Sequence, residues 1–466
     1  MDARDCGIYD TGCRTKRRVL VVTEAKPNFI EAYHHLAQTF FHLGRVDDAL
    51  GVLRRAIDVG GTAETKVLFV QFLRSQRSIP NLDDLRKLMV QAMTEPWTRP
   101  SEIAPIAASL IKHDPALRPY IVRVLRAWPT RLPAAELLGD SGVAVMSGHQ
   151  LLSSLLTSAP ITDADLERFL IALRFALLEV AAANSSRPVD DGVLRLGCAL
   201  ARQCFLNEYV FAHDDGELDR ACRLRHAIAG DIKSDAAVDE LGLAVVGTYF
   251  PLHSVMSTAE MHARSWPKPL ADLLGQQVGE PEQERQLRAS VAALTAIEDT
   301  VSLRVQRQYE ENPYPRWSKA APPARTTSIG QYLRGKFPRA QSLEFSAVND
   351  ILIAGCGTGQ HAVETAQRFS SARLLAIDLS LSSLAYAQRQ THSLGLANTE
   401  YVQADILRLG SIARRFDLIE AIGVLHHLED PFRGWRALLE TLRPKGLMQI
   451  GLYSRFARTH VQGNPG

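Results

Sequence analysis

The spacing of apolar residues changes twice along this chain. Between Pro27 and Ile57 apolar side chains recur at helical intervals on both sides of Gly44, which predicts a helix, a tight turn and a second helix. From 115 to 307 the period stays helical, with prolines at 129, 133, 160, 188, 251, 267 and 269 as punctuation, so this stretch reads as a helical domain. Inside it, "LRLGCALARQCFLNEYVF" (194–211) reads as a core helix that ends at the polar pair Asn207 and Glu208. The segment "VQRQYEENPYPRW" (305–317) then breaks the pattern. Pro313 and Pro315 exclude helix and favour an extended, docked strip that presents Tyr314, Arg316 and Trp317 as rigid anchors. From Asp350 short apolar runs alternate with amphipathic helices, the signature of a parallel sheet covered on both faces.

Counted from Tyr33, the positions Leu36, Ala37, Phe40, Gly44, Ala49, Leu53 and Ala56 resemble the tetratricopeptide repeat. Ala37, Ala49 and Ala56 let two helices approach closely, Tyr33, Leu36, Phe40 and Leu53 fill the seam, and Pro27 stands where a preceding repeat would close. One repeat cannot bury its apolar face alone. Either 66–93 holds degenerate copies ("KVLFVQFLRSQRS", "NLDDLRKLMVQAM") or the chain has lost N-terminal repeats; an ordinary helical hairpin is the alternative. The resemblance implies that the helical region recognises a protein partner or substrate.

The first strand of the α/β text, "ILIA" (351–354), runs into Gly355, Cys356, Gly357, Thr358 and Gly359 and then a helix starting near Gln360. Alternate glycines between strand and helix permit a tight turn and let a ligand touch backbone. The second strand, "LLAID", ends in Asp378, nineteen residues after Gly359, where a carboxylate can accept both hydroxyl protons of a ribose. Ser380 caps the next helix and Gly395 closes it. A third strand (400–405) places Asp405 at the same edge, a fourth (416–428) carries "GVLHHL", and "LRPKG" turns into a fifth, "GLMQIGLYS". A nicotinamide-binding unit shares the glycines and the acid, but its fingerprint wants Gly or Ala where Gln360 stands.

This order resembles the class I S-adenosylmethionine-dependent methyltransferase family, element by element over 350–454. The resemblance implies a doubly wound, Rossmann-like α/β fold with S-adenosylmethionine as cofactor. By it Gly355, Gly357 and Gly359 line the methionine part, Asp378 binds the ribose, Asp405 with Ile406 faces the adenine, Cys356 and Leu379 also bind the cofactor, and Gly423 with the residues up to Leu428 lies beneath the sulfonium and the substrate. Two departures stand out. The family commonly has an acid two residues before the first glycine, where this chain has Ile353, and Lys445 stands where it often has Gly. The family's fold also continues past strand five with a helix and an antiparallel hairpin, for which "RFARTHVQGNPG" is too short, so the chain is expected to be a piece of a longer protein with strand five at an exposed edge.

Methyl transfer by in-line displacement draws its rate mainly from alignment of nucleophile, methyl and sulfur, so no base is obligatory where the acceptor is already nucleophilic. Candidates for handling the acceptor are His426, His427, Tyr309 and Arg316, the last two as a lid over the cofactor. Loss of the acid at 353 keeps a second reading open: a tetratricopeptide-type interaction module with a vestigial methyltransferase domain.

Composition bounds the rest. At 466 residues the chain needs several cores, and we divide it into a tetratricopeptide-like region (1–114), a helical domain (115–304), a proline-containing connector (305–330) and the methyltransferase domain (331–466). The 53 Lys and Arg against 51 Asp and Glu leave a net charge of +2, which gives no global pull toward nucleic acid or acidic membranes. The basic run at 14–18 reads as a solvated terminus. None of the six cysteines stands in a metal or redox pair, and with neither a signal-peptide core nor a spanning apolar stretch, a reduced, cytoplasmic setting without metal is expected.

Overall fold

The computed structural model describes residues 28–76, 84–139, 141–183, 190–322, 326–336 and 349–453. The basic run at 14–18, Cys6, Cys13, Pro27, Pro188 and the stretch after Tyr453 lie outside them. The chain divides into two compact units. One runs up to Val278 and also takes in Ser318–Ala324; the other comprises Gly279–Trp317 and the chain from Arg325 on. By compactness the second unit thus starts at Gly279, whereas the sequence pattern placed a boundary at 304/305.

The first unit is helical. Helices Ile30–His42 and Val46–Asp58 flank Gly44, whose φ of +74° is one that side-chain-bearing residues rarely adopt. Ala37, Ala49, Leu53 and Ala56 are fully buried in the seam. The apolar face of this pair continues onto helix Ala63–Arg74, where Phe72 stacks on Phe41 at 4.0 Å, and one hydrophobic cluster then extends to Tyr249. The hydrophobic stretch near 170–183 lies in helix Ala164–Ala183, and no helix among the described residues is long and apolar enough to cross a membrane. Its Arg174 is buried with Glu217, 2.9 Å away, and Glu217 also accepts a 2.6 Å bond from the Tyr249 hydroxyl. Asn207 caps helix Asp191–Leu206, and Glu208 and Tyr209 both take left-handed backbone (φ +57° and +58°). Removing one partner of a buried ion pair leaves the other short of compensating charge, and because Glu217 keeps Arg131 3.7 Å from its Oε2, Arg174→Leu is expected to cost about 3 kcal/mol, the low end for such pairs, read as a lower urea midpoint.

The second unit holds a six-stranded, fully parallel sheet in the order β1-β4-β3-β2-β5-β6, formed by Ala292–Ala293, Asp350–Ala354, Arg373–Asp378, Thr399–Gln403, Phe416–Ile422 and Leu442–Gly451. Alternate side chains feed two cores, as the pleat requires: Ile351, Ile353, Leu374, Ala376 and Leu418 on one face, Leu352, Ala354, Leu375, Ile377 and Ile419 on the other.

Three differences from the sequence expectation have local causes. The fourth expected strand ends at Ile422 because Gly423 (φ +73°) turns the chain into a short 3-10 segment, Leu425–His427. The third ends at Gln403, and Asp405 instead caps a 3-10 helix, Ile406–Ser411. "LRPKG" is a bulged start of β6, not a turn before it: the pairing jumps from Leu442 opposite Phe416 to Leu447 opposite Leu418, and Lys445 takes φ +65°, where glycine is at ease. β1, beside β4, has no periodicity from which to be read.

Candidate active site

The end of β2 and the end of β3 meet through backbone. Gly355 N and Cys356 N both donate to Ile377 O at 2.9 Å, and Gly359 N closes the turn on Cys356 O at 2.9 Å. Gly357 N donates to Asp378 Oδ2 at 2.8 Å, while Ser380 N donates to Asp378 Oδ1 at 3.0 Å. Loop and carboxylate therefore converge at the C-terminal edge of neighbouring parallel strands, where ligands bind in open α/β sheets.

The three glycines, all at positive φ, do different work. A Cβ on Gly355 would lie 2.3 Å from Val424 Cγ2, and one on Gly359 would lie 2.4 Å from Ala387 Cβ, so both are demanded by packing. At Gly357 a Cβ would meet nothing within 4 Å; this is the stretch of loop backbone that faces open space. Cys356 is buried, and burial raises its thiol well above the ordinary value, so it serves as a small packing group.

Two acids stand at this edge: Asp378, whose two oxygens both accept backbone N–H bonds, and Asp405, one oxygen of which has no donor. Burial raises the Asp378 carboxyl above its usual range even though the N–H groups of Ser380, Gly357 and Leu379 pull it down. Asp405 is 1% exposed; its Oδ1 accepts from Leu407 N at 2.9 Å, but its buried Oδ2 has no partner. Ile406 is buried beside it, and Leu379 O is held by Gln403 Nε2 at 2.8 Å.

The strip 312–317 is docked on the loop, as its prolines suggested. Thr358 Oγ1 donates to Pro315 O at 2.8 Å, and Trp317 Nε1 donates to Thr358 O at 2.9 Å. The Tyr386 hydroxyl accepts from Trp317 N at 3.0 Å and donates to Trp317 O at 2.7 Å. Of the three expected anchors only Trp317 and Arg316 are engaged, since Tyr314 is 56% exposed. Arg316 stands 4.0 Å from Glu284 and over the Tyr386 ring.

Tyr309, near the end of helix Thr300–Glu311, does face the site. Its carbonyl accepts from Ser380 Oγ at 3.0 Å, its ring meets His427 edge-on at 6.3 Å, and burial together with Asp378, Tyr453 and Tyr314 raises its phenol pKa. His426 packs between His427 and Tyr453, each 4.2 Å away by ring centroid. The two histidines and Tyr309 thus form one aromatic wall after β5, and Gly423, with open space at its Cβ position, lies at its base.

Sequence reasoning missed a further group. Glu420, 1% exposed on β5, has Oε2 2.9 Å from His361 Nε2 and accepts from Thr365 Oγ1 at 2.9 Å. Burial would raise its carboxyl, but the contact and charge of His361 and the Thr365 bond outweigh that and hold it below the usual value. An acid inside the otherwise apolar run "LIEAI" was the available signal.

A family profile described as a methyltransferase domain matches residues 351–446, which hold the glycine loop, strands β3 to β5 and the acids just described. The C-terminal α/β region is a methyltransferase domain. An uncharacterized protein of Synechococcus sp. is 32% identical over 182 residues, 38% of this chain and 42% of that protein. A trans-aconitate 2-methyltransferase of Deinococcus radiodurans is 38% identical over 96 residues, 21% of this chain and 34% of that protein. The chain thus spans less than half of the length of these curated relatives. A solved N-methyltransferase from Bradyrhizobium japonicum in complex with S-adenosylhomocysteine is 22% identical, covering 33% of this chain and 72% of its own, with a TM-score of 0.23. The cofactor of the methyltransferase domain is S-adenosylmethionine, and the residues present fit it: an open stretch of loop backbone, a half-buried acid at the end of β3 and a buried, orphaned carboxylate oxygen stand along one sheet edge.

Proposed function

We propose that the protein transfers a methyl group from S-adenosylmethionine to an acceptor recognised with the help of its helical region. The observation that carries this reading is the 2.8 Å bond from Gly357 N to Asp378 Oδ2 beside an open Cβ position, which builds one groove from two neighbouring strands. In it the backbone of Gly355, Cys356, Gly357 and Gly359 takes the methionine part, Asp378 with Leu379 the ribose, and Asp405 with Ile406 the adenine, whose amino group would give the orphaned Oδ2 its missing donor. Ribose hydroxyls would donate to the lone pairs of Asp378 that the backbone N–H groups leave open.

When bound, the cofactor supplies an activated methyl group on a sulfonium. The protein's part is alignment and exclusion of water. The wall of Tyr309, His426 and His427 beside Gly423 orients the acceptor and keeps solvent from it, and either imidazole can receive a proton if the acceptor must lose one. The hairpin that resembles a tetratricopeptide repeat, with its Ala37, Ala49 and Ala56 seam, supports a protein-recognising role for the helical unit, and the cytoplasm is the proposed setting.

Calorimetric titration of the full chain with S-adenosylhomocysteine is expected to give saturable one-site binding. Cell extract incubated with the chain and a labelled methyl donor, followed by mass spectrometry, is expected to show label on protein. Absence of binding heat would overturn the donor assignment, and label confined to small molecules would remove the protein acceptor.

A further inference from the structure

The carboxylate absent at position 353 has a neighbour that is not visible in the linear sequence. Ile353 on β2 is paired in register with Glu420 on β5. In-register residues of adjacent parallel strands share a sheet face, and Glu420, two positions after Leu418, points to the face on which Ile353, Leu418, Ala362 and Ala366 form one core. That face is covered by helix Gln360–Arg368, which begins directly after Gly359. Glu420 is 1% exposed, and its contacts at 2.9 Å are His361 in the first turn of that helix and Thr365 one turn on. His361 is 30% exposed in its side chain, so the imidazole spans from the buried carboxylate to the outside of the fold.

A carboxylate buried in an apolar core costs several kcal/mol unless it is compensated. Here one histidine, one hydroxyl and the positive end of the helix that follows the glycine loop provide that compensation. A site that needed only to anchor the helix would have used an apolar residue, as at Ala362 and Ala366.

We infer that Glu420, acting with His361, supplies from β5 the negative charge that β2 lacks at Ile353, and positions the glycine loop and first helical turn for the amino-acid end of the donor. This rests on the donor assignment proposed above. Glu420 is a positioning residue, acting through His361 and the helix. The ligand feature read is the charged methionine end, not the nucleoside, which belongs to Asp378 and Asp405.

The test uses two probes on the full chain: S-adenosylhomocysteine, which has the amino-acid end, and methylthioadenosine, which has the nucleoside alone. Glu420→Val is expected to weaken S-adenosylhomocysteine about tenfold and to leave methylthioadenosine within about twofold. Adding Ile353→Asp to Glu420→Val, which returns a carboxylate to the neighbouring strand, is expected to restore most of the lost affinity. Unchanged S-adenosylhomocysteine binding, or equal weakening of both probes, overturns the inference and leaves the donor assignment standing. If the unmodified chain binds neither probe, both fall. Should Glu420→Val fail to fold, His361→Leu decides in its place: selective loss of S-adenosylhomocysteine supports the inference, and no selective loss overturns it.

Discussion

Asp378→Ala is expected to abolish measurable S-adenosylhomocysteine binding while leaving a folded protein. The carboxylate holds Gly357 N and Ser380 N, and each N–H left without an acceptor costs about 1–3 kcal/mol where it stays buried. The loop would then lose the bond that fixes its open stretch, and the ribose its acceptor. Two charge-assisted bonds at about 1.5–3 kcal/mol each correspond to a loss of more than about a hundredfold in affinity. Circular dichroism melting separates this from unfolding, because the strands on either side pair through backbone that the substitution does not touch. Asp378→Asn, which keeps one carbonyl acceptor, is expected to fall between the two. Retention of full affinity by the alanine variant would remove Asp378 from the site.

The glycine loop gives the second large effect, and it splits by position. Gly355→Ala places a Cβ 2.3 Å from Val424, at a φ of +70°, and the clash is with a branched side chain packed in the core. Overpacking of about 1–3 kcal/mol added to backbone strain of about 1–3 kcal/mol is expected to lower stability markedly. Gly357→Ala meets no atom within 4 Å and carries only the strain of its φ of +51°. Its melting temperature is therefore expected to change little, while donor affinity falls because the new methyl occupies the space the ligand needs. Equal behaviour of the two variants would mean that the loop has no ligand face.

The α/β core was legible because its determinants are local. A four-residue apolar run into alternate glycines, then an acid at the next strand end, specifies β2, the loop and β3 with no knowledge of the rest. Asp405 was found for the same reason, although its place as the cap of a 3-10 helix was not, because the residues after it read equally well as strand. Glu420 could not be assigned from the linear text: its meaning comes from register with Ile353, a pairing between strands separated by two others in sequence. β1 was missed because a two-residue strand of alanines carries no period, and it is fixed only by pairing with Val402 and Gln403. The conformation of Lys445 was hinted at by the glycine expected there, and its left-handed backbone shows why glycine suits the position.

Tyr386 links parts of the chain far apart in sequence through one oxygen atom, which receives the N–H and gives its proton to the carbonyl of Trp317. The indole in turn holds the carbonyl of Thr358. A lineage that exchanged the tyrosine for phenylalanine would lose both hydroxyl bonds at once, while the 2.9 Å bond from Gln390 Nε2 to the Trp317 carbonyl would remain.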